Sequence, residues 1–152
     1  MSKRQDIFHL SGVKPLDKLR LALAYADGAE FEVDLTEWVR SASVLKPLRK
    51  AALFSTARIG AFGRAVEFGD GEIDLAGDNL RNLAVEQAGG IGHERIWNWM
   101  HDNGLTIDQA AAVLGISRRM LIYYRNGEKR IPRHIWLACV GWETLQKHGA
   151  AA

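Results

Sequence analysis

At Gly89-Gly90-Ile91-Gly92 the hydrophobic period of the chain changes from about two to about 3.6, and no single regular element carries both. The glycines also stop any helix that runs into them. The chain therefore reads as two domains, 1–88 and 89–152, of an α+β class: a small α+β domain followed by an all-α domain.

Before the break, Leu19, Leu21, Leu23 and Tyr25 alternate with smaller or charged residues, and Phe31, Val33 and Leu35 alternate with acids. Between them Asp27-Gly28 predicts a hairpin turn, because glycine supplies positive φ without steric cost. A polar, helical stretch from Thr36 to about Ala52 follows. Strands are then expected over Phe54 to Ile59 and Arg64 to Phe68, around a Gly60-Ala61-Phe62-Gly63 turn, and Gly69-Asp70-Gly71 leads into Ile73-Asp74-Leu75. Asp78 reads as the cap of a helix carrying Leu80, Leu83, Ala84 and Gln87.

After the break come four helical segments. His93 to His101 stops at Asn103-Gly104, and Thr106 with Gln109 has capping-box spacing for a helix from Ile107 to Leu114. Gly115 ends that helix, Ser117 caps the next, from Arg118 to about Arg125, and Asn126-Gly127 ends it in turn. Pro132 suits the first turn of a fourth helix reaching Lys147. The middle pair meets the needs of a helix-turn-helix, with small Ala110 and Ala111 at the contact, Gly115 in the turn, Leu114 and Ile116 pointing inward, and Leu121 and Tyr124 as the buried stripe.

Leu105 to Pro132 accordingly resembles the helix-turn-helix of the phage repressor and Cro class, also called Cro/C1 or Xre. The residues that carry this are Leu105-Thr106, Ala111, Gly115-Ile116-Ser117, Leu121, Tyr124, Asn126-Gly127 and Ile131-Pro132. The resemblance implies a lambda-repressor-like domain that binds double-stranded DNA as a homodimer, in a bacterial transcriptional regulator. Its second helix would enter the major groove, with Arg118, Arg119, Ile122 and Tyr123 at base edges and Thr106, Ser117, Asn126, Lys129 and Arg130 near phosphates. Two positions depart from the family pattern: Ile107 stands where glutamine is frequent, losing a phosphate contact, and Arg125 replaces a frequent glutamate, adding charge. The first half, over residues 7 to 81, resembles the domain of unknown function 2442 family through Leu21-x-Leu23, Asp27-Gly28, Val33-Asp34-Leu35, Leu48, Gly71-x-x-Asp74-Leu75 and Asp78-x-Leu80. Members of that family joined to an Xre-like domain share this layout, but the family name implies no activity.

Charge agrees with a polyanion partner for the second half. Residues 1–88 carry 12 Lys/Arg against 13 Asp/Glu, while residues 89–152 carry 8 against 5. The excess concentrates between Ser117 and Arg133, where Arg118, Arg119, Arg125, Lys129, Arg130 and Arg133 face one acid, Glu128. The plainer readings are a solvated helix face, an ordinary helical bundle, or a helix-turn-helix used for protein contact. The competing function is thus a protein-interaction or antitoxin-like module whose DNA binding is autoregulatory.

Other classes find little support. A content of 47% hydrophobic and 25% charged residues excludes a disordered chain. No apolar run reaches the roughly 18 to 20 residues of a membrane span, and Met1-Ser2-Lys3-Arg4-Gln5-Asp6 lacks the apolar core of a signal peptide, so a cytoplasmic location is expected. Cys139 stands alone, and His9, His93, His101, His134 and His148 lack ligand spacing, so neither metal nor cofactor is expected. Acid pairs near turns, Ser55, Ser117 and the glycines at 60, 63, 69 and 71 spell no catalytic or phosphate-loop arrangement, and no enzyme activity is assigned. Four of the five tryptophans, Trp97, Trp99, Trp136 and Trp142, lie in the second half, and the fourth helix is apolar almost all round from Ile135 to Trp142. One face should therefore meet either the first domain, the preferred expectation, or a second subunit.

Overall fold

The computed structural model describes residues 7–149, and the Met1–Asp6 start and the alanine tail at 150–152 lie outside the described residues. The chain divides into two compact units, Met1–Ala88 and Gly89–Ala152.

The first unit holds two three-stranded antiparallel sheets. One has the order β1 (Leu10–Pro15), β2 (Arg20–Tyr25), β3 (Glu30–Asp34); the other has β4 (Arg58–Ile59), β5 (Ala65–Phe68), β6 (Ile73–Ala76). Between them run α1 (Thr36–Ser41), a 3-10 stretch at Ser43–Arg49 containing Pro47, and α2 (Ala51–Phe54). Alternation does what the period demands: Leu21, Leu23 and Tyr25 of β2 and Val33 of β3 are buried together with Leu35, Val39, Leu48, Val66, Phe68 and Leu80. The β2–β3 turn places Gly28 at φ +91°, and its N–H donates to the Tyr25 carbonyl at 2.9 Å.

Two local expectations are corrected, and one strand has no signal in the sequence. Strand β1 carries no clear alternation, because a bulge between Leu10 and Gly12 shifts its register against β2. The strand expected from Phe54 shrinks to Arg58–Ile59. The Ser55 and Thr56 hydroxyls donate to the Ala52 and Leu53 carbonyls at 2.8 and 2.5 Å, which keeps the chain in a helical turn, while Phe54 stacks on Phe68 with centroids 5.6 Å apart. Asp78 is not a cap: α3 (Gly77–Gln87) starts one residue before it, with Ala76 at the N-cap.

The first residue of α3, Gly77, is closely packed. A Cβ there would lie 2.7 Å from the Phe8 carbonyl oxygen and 3.2 Å from that of Arg64, and the Gly77 carbonyl accepts the buried Tyr25 hydroxyl at 2.7 Å. Gly77→Ala should therefore destabilise the chain by about 1–3 kcal/mol through backbone displacement, despite alanine's better helix propensity, which is worth only about 1 kcal/mol. Urea unfolding checks this, and an unchanged or raised midpoint would show that the approach is not tight. At the other end of α3, the Gln87 amide pairs with both the N–H and the carbonyl of Asp34, at 2.9 and 2.8 Å, tying the helix to β3.

The second unit consists of α4 (Glu94–Asp102), α5 (Ile107–Leu114), α6 (Arg118–Arg125) and α7 (Arg133–Lys147). Ile96, Trp99, Met100, Ala110, Ala111, Leu121, Tyr124, Ile131, Ile135 and Cys139 form its core. Trp142 meets Trp99 edge to face at 5.8 Å, and the Asn103 amide joins the Trp99 carbonyl (2.8 Å) to the Glu143 carboxylate (3.1 Å), linking the end of α4 to α7. Pro132 is the N-cap of α7 rather than part of its first turn, with extended ψ of 148°. Leu137, Val140 and Leu145 of α7 remain exposed.

Candidate nucleic-acid interface

The site is built by two caps and a turn. In α5 the Thr106 hydroxyl accepts the Gln109 N–H at 3.2 Å, and the Gln109 side chain accepts the Thr106 N–H at 2.9 Å, completing the capping box. Gly115 then takes φ +68°, where a β-carbon is disfavoured, and the Ile116 N–H closes the helix end on the Ala111 carbonyl at 3.1 Å. Two residues later Ser117 starts α6, its hydroxyl accepting the Met120 N–H at 3.1 Å. Leu121 and Tyr124 face the core, so the helical period turns Arg119 outward, and Arg118 in the first turn is exposed as well.

The residues singled out as base readers form two groups. Arg119 donates through Nε to the Tyr123 hydroxyl at 2.6 Å, with its guanidinium 5.4 Å from the ring centroid, and Lys129 Nζ lies 4.9 Å from the same centroid. The Tyr123 ring therefore carries two cations. Its carbonyl accepts the Glu128 and Lys129 N–H groups at 2.9 and 3.3 Å after the Gly127 turn, which brings Lys129 back beside α6. Arg118 instead donates through Nη1 to Asp108 Oδ1 of α5 at 2.9 Å. Ile122, read from the sequence as exposed, is half-buried, as is Tyr123.

Of the residues proposed near phosphates, Lys129 and Arg130 are exposed and Asn126 is half-buried at the end of α6. Thr106 and Ser117 each accept one capping N–H, and each keeps a hydroxyl proton to donate. Arg125 does not extend the exposed basic surface: its guanidinium lies 4.0 Å over the Trp97 ring and the residue is half-buried, so the charge serves the contact between α6 and α4.

Asp108 escaped the sequence reading. An acid in the first turn of a helix already has an explanation in the helix dipole, and a partner ten residues away across a turn leaves no periodic trace. Among the described residues no group of three or more His, Cys, Asp or Glu side chains converges on a metal position, and no helix is long and apolar enough to cross a membrane. Burial pushes the Cys139 thiol up to about 12, which keeps it protonated.

The chain is 41% identical to a protein of Nitrosomonas europaea known from a crystal structure, over 90% of this chain and 87% of that one, with a TM-score of 0.82. The chain belongs to that protein's family. The Nitrosomonas member is described as a "putative DNA binding protein". No protein-family model matches the chain, and no functionally curated protein does either.

Proposed function

We propose that the chain binds double-stranded DNA through α6, as a homodimeric bacterial transcriptional regulator of the Cro/C1 (Xre) type joined to a domain of the 2442-like kind. The observation that carries this is the capped α5–Gly115–α6 geometry with Arg118, Arg119 and Lys129 all exposed. The DNA-binding description of the Nitrosomonas relative supports the same partner. In this reading the N-terminal end of α6 enters the major groove, guanidinium groups of Arg118 and Arg119 bond guanine O6 and N7, and the cations after Gly127 hold phosphates. One such helix makes few base contacts, so two copies reading two half-sites supply the specificity. The reading needs no cofactor or catalytic step, and the protein acts in the cytoplasm.

Lys129→Ala tests the division between phosphate and base contacts. It should weaken binding to all duplexes alike and flatten the salt dependence by about one unit of log K per log salt for each subunit, measured by fluorescence anisotropy across a salt series. Loss confined to the preferred sequence would place Lys129 on a base instead.

A further inference from the structure

The pairing of Arg118 with Asp108 joins the two helices of the motif at the point where α6 begins. Arg118 is the first residue of α6 and Asp108 the second of α5, and their side chains meet at 2.9 Å with both still exposed. An acid in a surface meant for a polyanion is costly in charge, since it repels the phosphates that every duplex presents. What it can return is geometry. Arginine has several rotatable bonds and a planar guanidinium with five N–H donors. Asp108 engages Nη1 through one oxygen, so the edge formed by Nε and Nη2 stays free, and that edge matches guanine O6 and N7.

We infer that Asp108 is a specificity-determining residue that positions Arg118 for guanine, giving up sequence-independent affinity for discrimination. This rests on the reading of α6 as the recognition helix. In a complex with the correct base the carboxylate orients the guanidinium; on other sequences Arg118 stays with Asp108 and contributes no phosphate contact, while the acid repels the backbone.

The two roles have opposite signs under substitution, and this makes the inference testable on the full-length protein. Asp108→Asn should weaken binding to the selected sequence by about 5-fold, the scale of an exposed charge pair, and strengthen binding to random duplex by about 2- to 10-fold with a steeper salt slope. Base preference should relax at the guanine position that Arg118→Ala also relaxes. In the Arg118→Ala background the loss should vanish and only the gain remain, which a merely structural role of Asp108 in α5 would not produce. Thermal unfolding of each variant separates these effects from a change in stability. Equal gains on selected and random duplex, or a loss that persists without Arg118, would overturn the inference while leaving DNA binding by α6 intact. A wild-type protein that binds duplex without any preferred sequence would overturn base reading by α6 itself, and this inference with it.

Discussion

Leu121→Ala should cost the helical unit about 2–5 kcal/mol, the range for removing a buried leucine side chain from a packed core. Leu121 is fully buried, packed in one core with Ile96, Ala110 and Ile135, so both the transfer of its methyl groups and the cavity left behind count. A unit of about 60 residues is worth only about 3–10 kcal/mol in total. The loss is therefore comparable with the whole stability, and a substantial unfolded population of this unit is expected at modest temperature. Tryptophan fluorescence during urea unfolding reports on it, because four of the five tryptophans lie in this half. Arg119→Ala, two positions earlier but exposed, should stay within about 0.5 kcal/mol of wild type. Similar stability for Leu121→Ala and wild type would contradict the placement of the buried face of α6, and with it the exposure of Arg118 and Arg119.

The second large effect lies on the exposed surface of the same helix. Arg118→Ala and Arg119→Ala should each lose about 1–3 kcal/mol per half-site on the preferred duplex, from one bidentate guanine contact. In a dimer the two half-sites are distant and nearly additive, so a single substitution removes about 2–6 kcal/mol from the complex. On random duplex Arg118→Ala should change little, because there Arg118 stays with Asp108, and Arg119→Ala should lose much less than on the preferred duplex, in a salt-dependent way. Lysine at either position should not restore discrimination, because a point charge lacks the planar fork that matches O6 and N7. Titrations of both duplexes decide the matter: equal losses on preferred and random DNA would remove the base-reading role from that arginine. Arg119 also bonds the Tyr123 hydroxyl, so its replacement frees that phenol as well, and Tyr123→Phe isolates this second contribution.

The two halves of the chain differ in how far they can be read from residues alone. In the helical unit the signals are local and cooperative: Thr106 with Gln109, Gly115 and Ser117 each mark a helix end through their own backbone, and α5 and α6 take the bounds these residues imply. In the first unit the deciding contacts are distant in sequence. Nothing near Gly77 announces that the Phe8 and Arg64 carbonyls crowd it, so Asp78, a good capping residue by type, reads as the start of α3 when it is one residue inside. Strand β1 is hidden by its bulge between Leu10 and Gly12, and the Phe54 segment looks strand-like until the Ser55 and Thr56 hydroxyls are seen bonding back to the preceding turn. At the candidate site the same contrast appears. The outward direction of Arg119 follows from the helical period, whereas the partners of the two arginines, Asp108 and Tyr123, depend on how two helices meet and which rotamers survive there. Arg125 shows the limit most clearly, since its residue type promised more surface charge and its contact with Trp97 turns that charge inward.

Selection of random duplex DNA by the full-length protein at near-physiological salt, followed by sequencing of the retained duplexes, decides whether α6 reads sequence. The expected result is a palindromic consensus with guanine in each half-site and half-site centres about 10 base pairs apart, the spacing that places two copies of α6 in successive major grooves. Retention without a consensus would contradict base reading by Arg118 and Arg119, and no retention at any salt would contradict DNA as the partner.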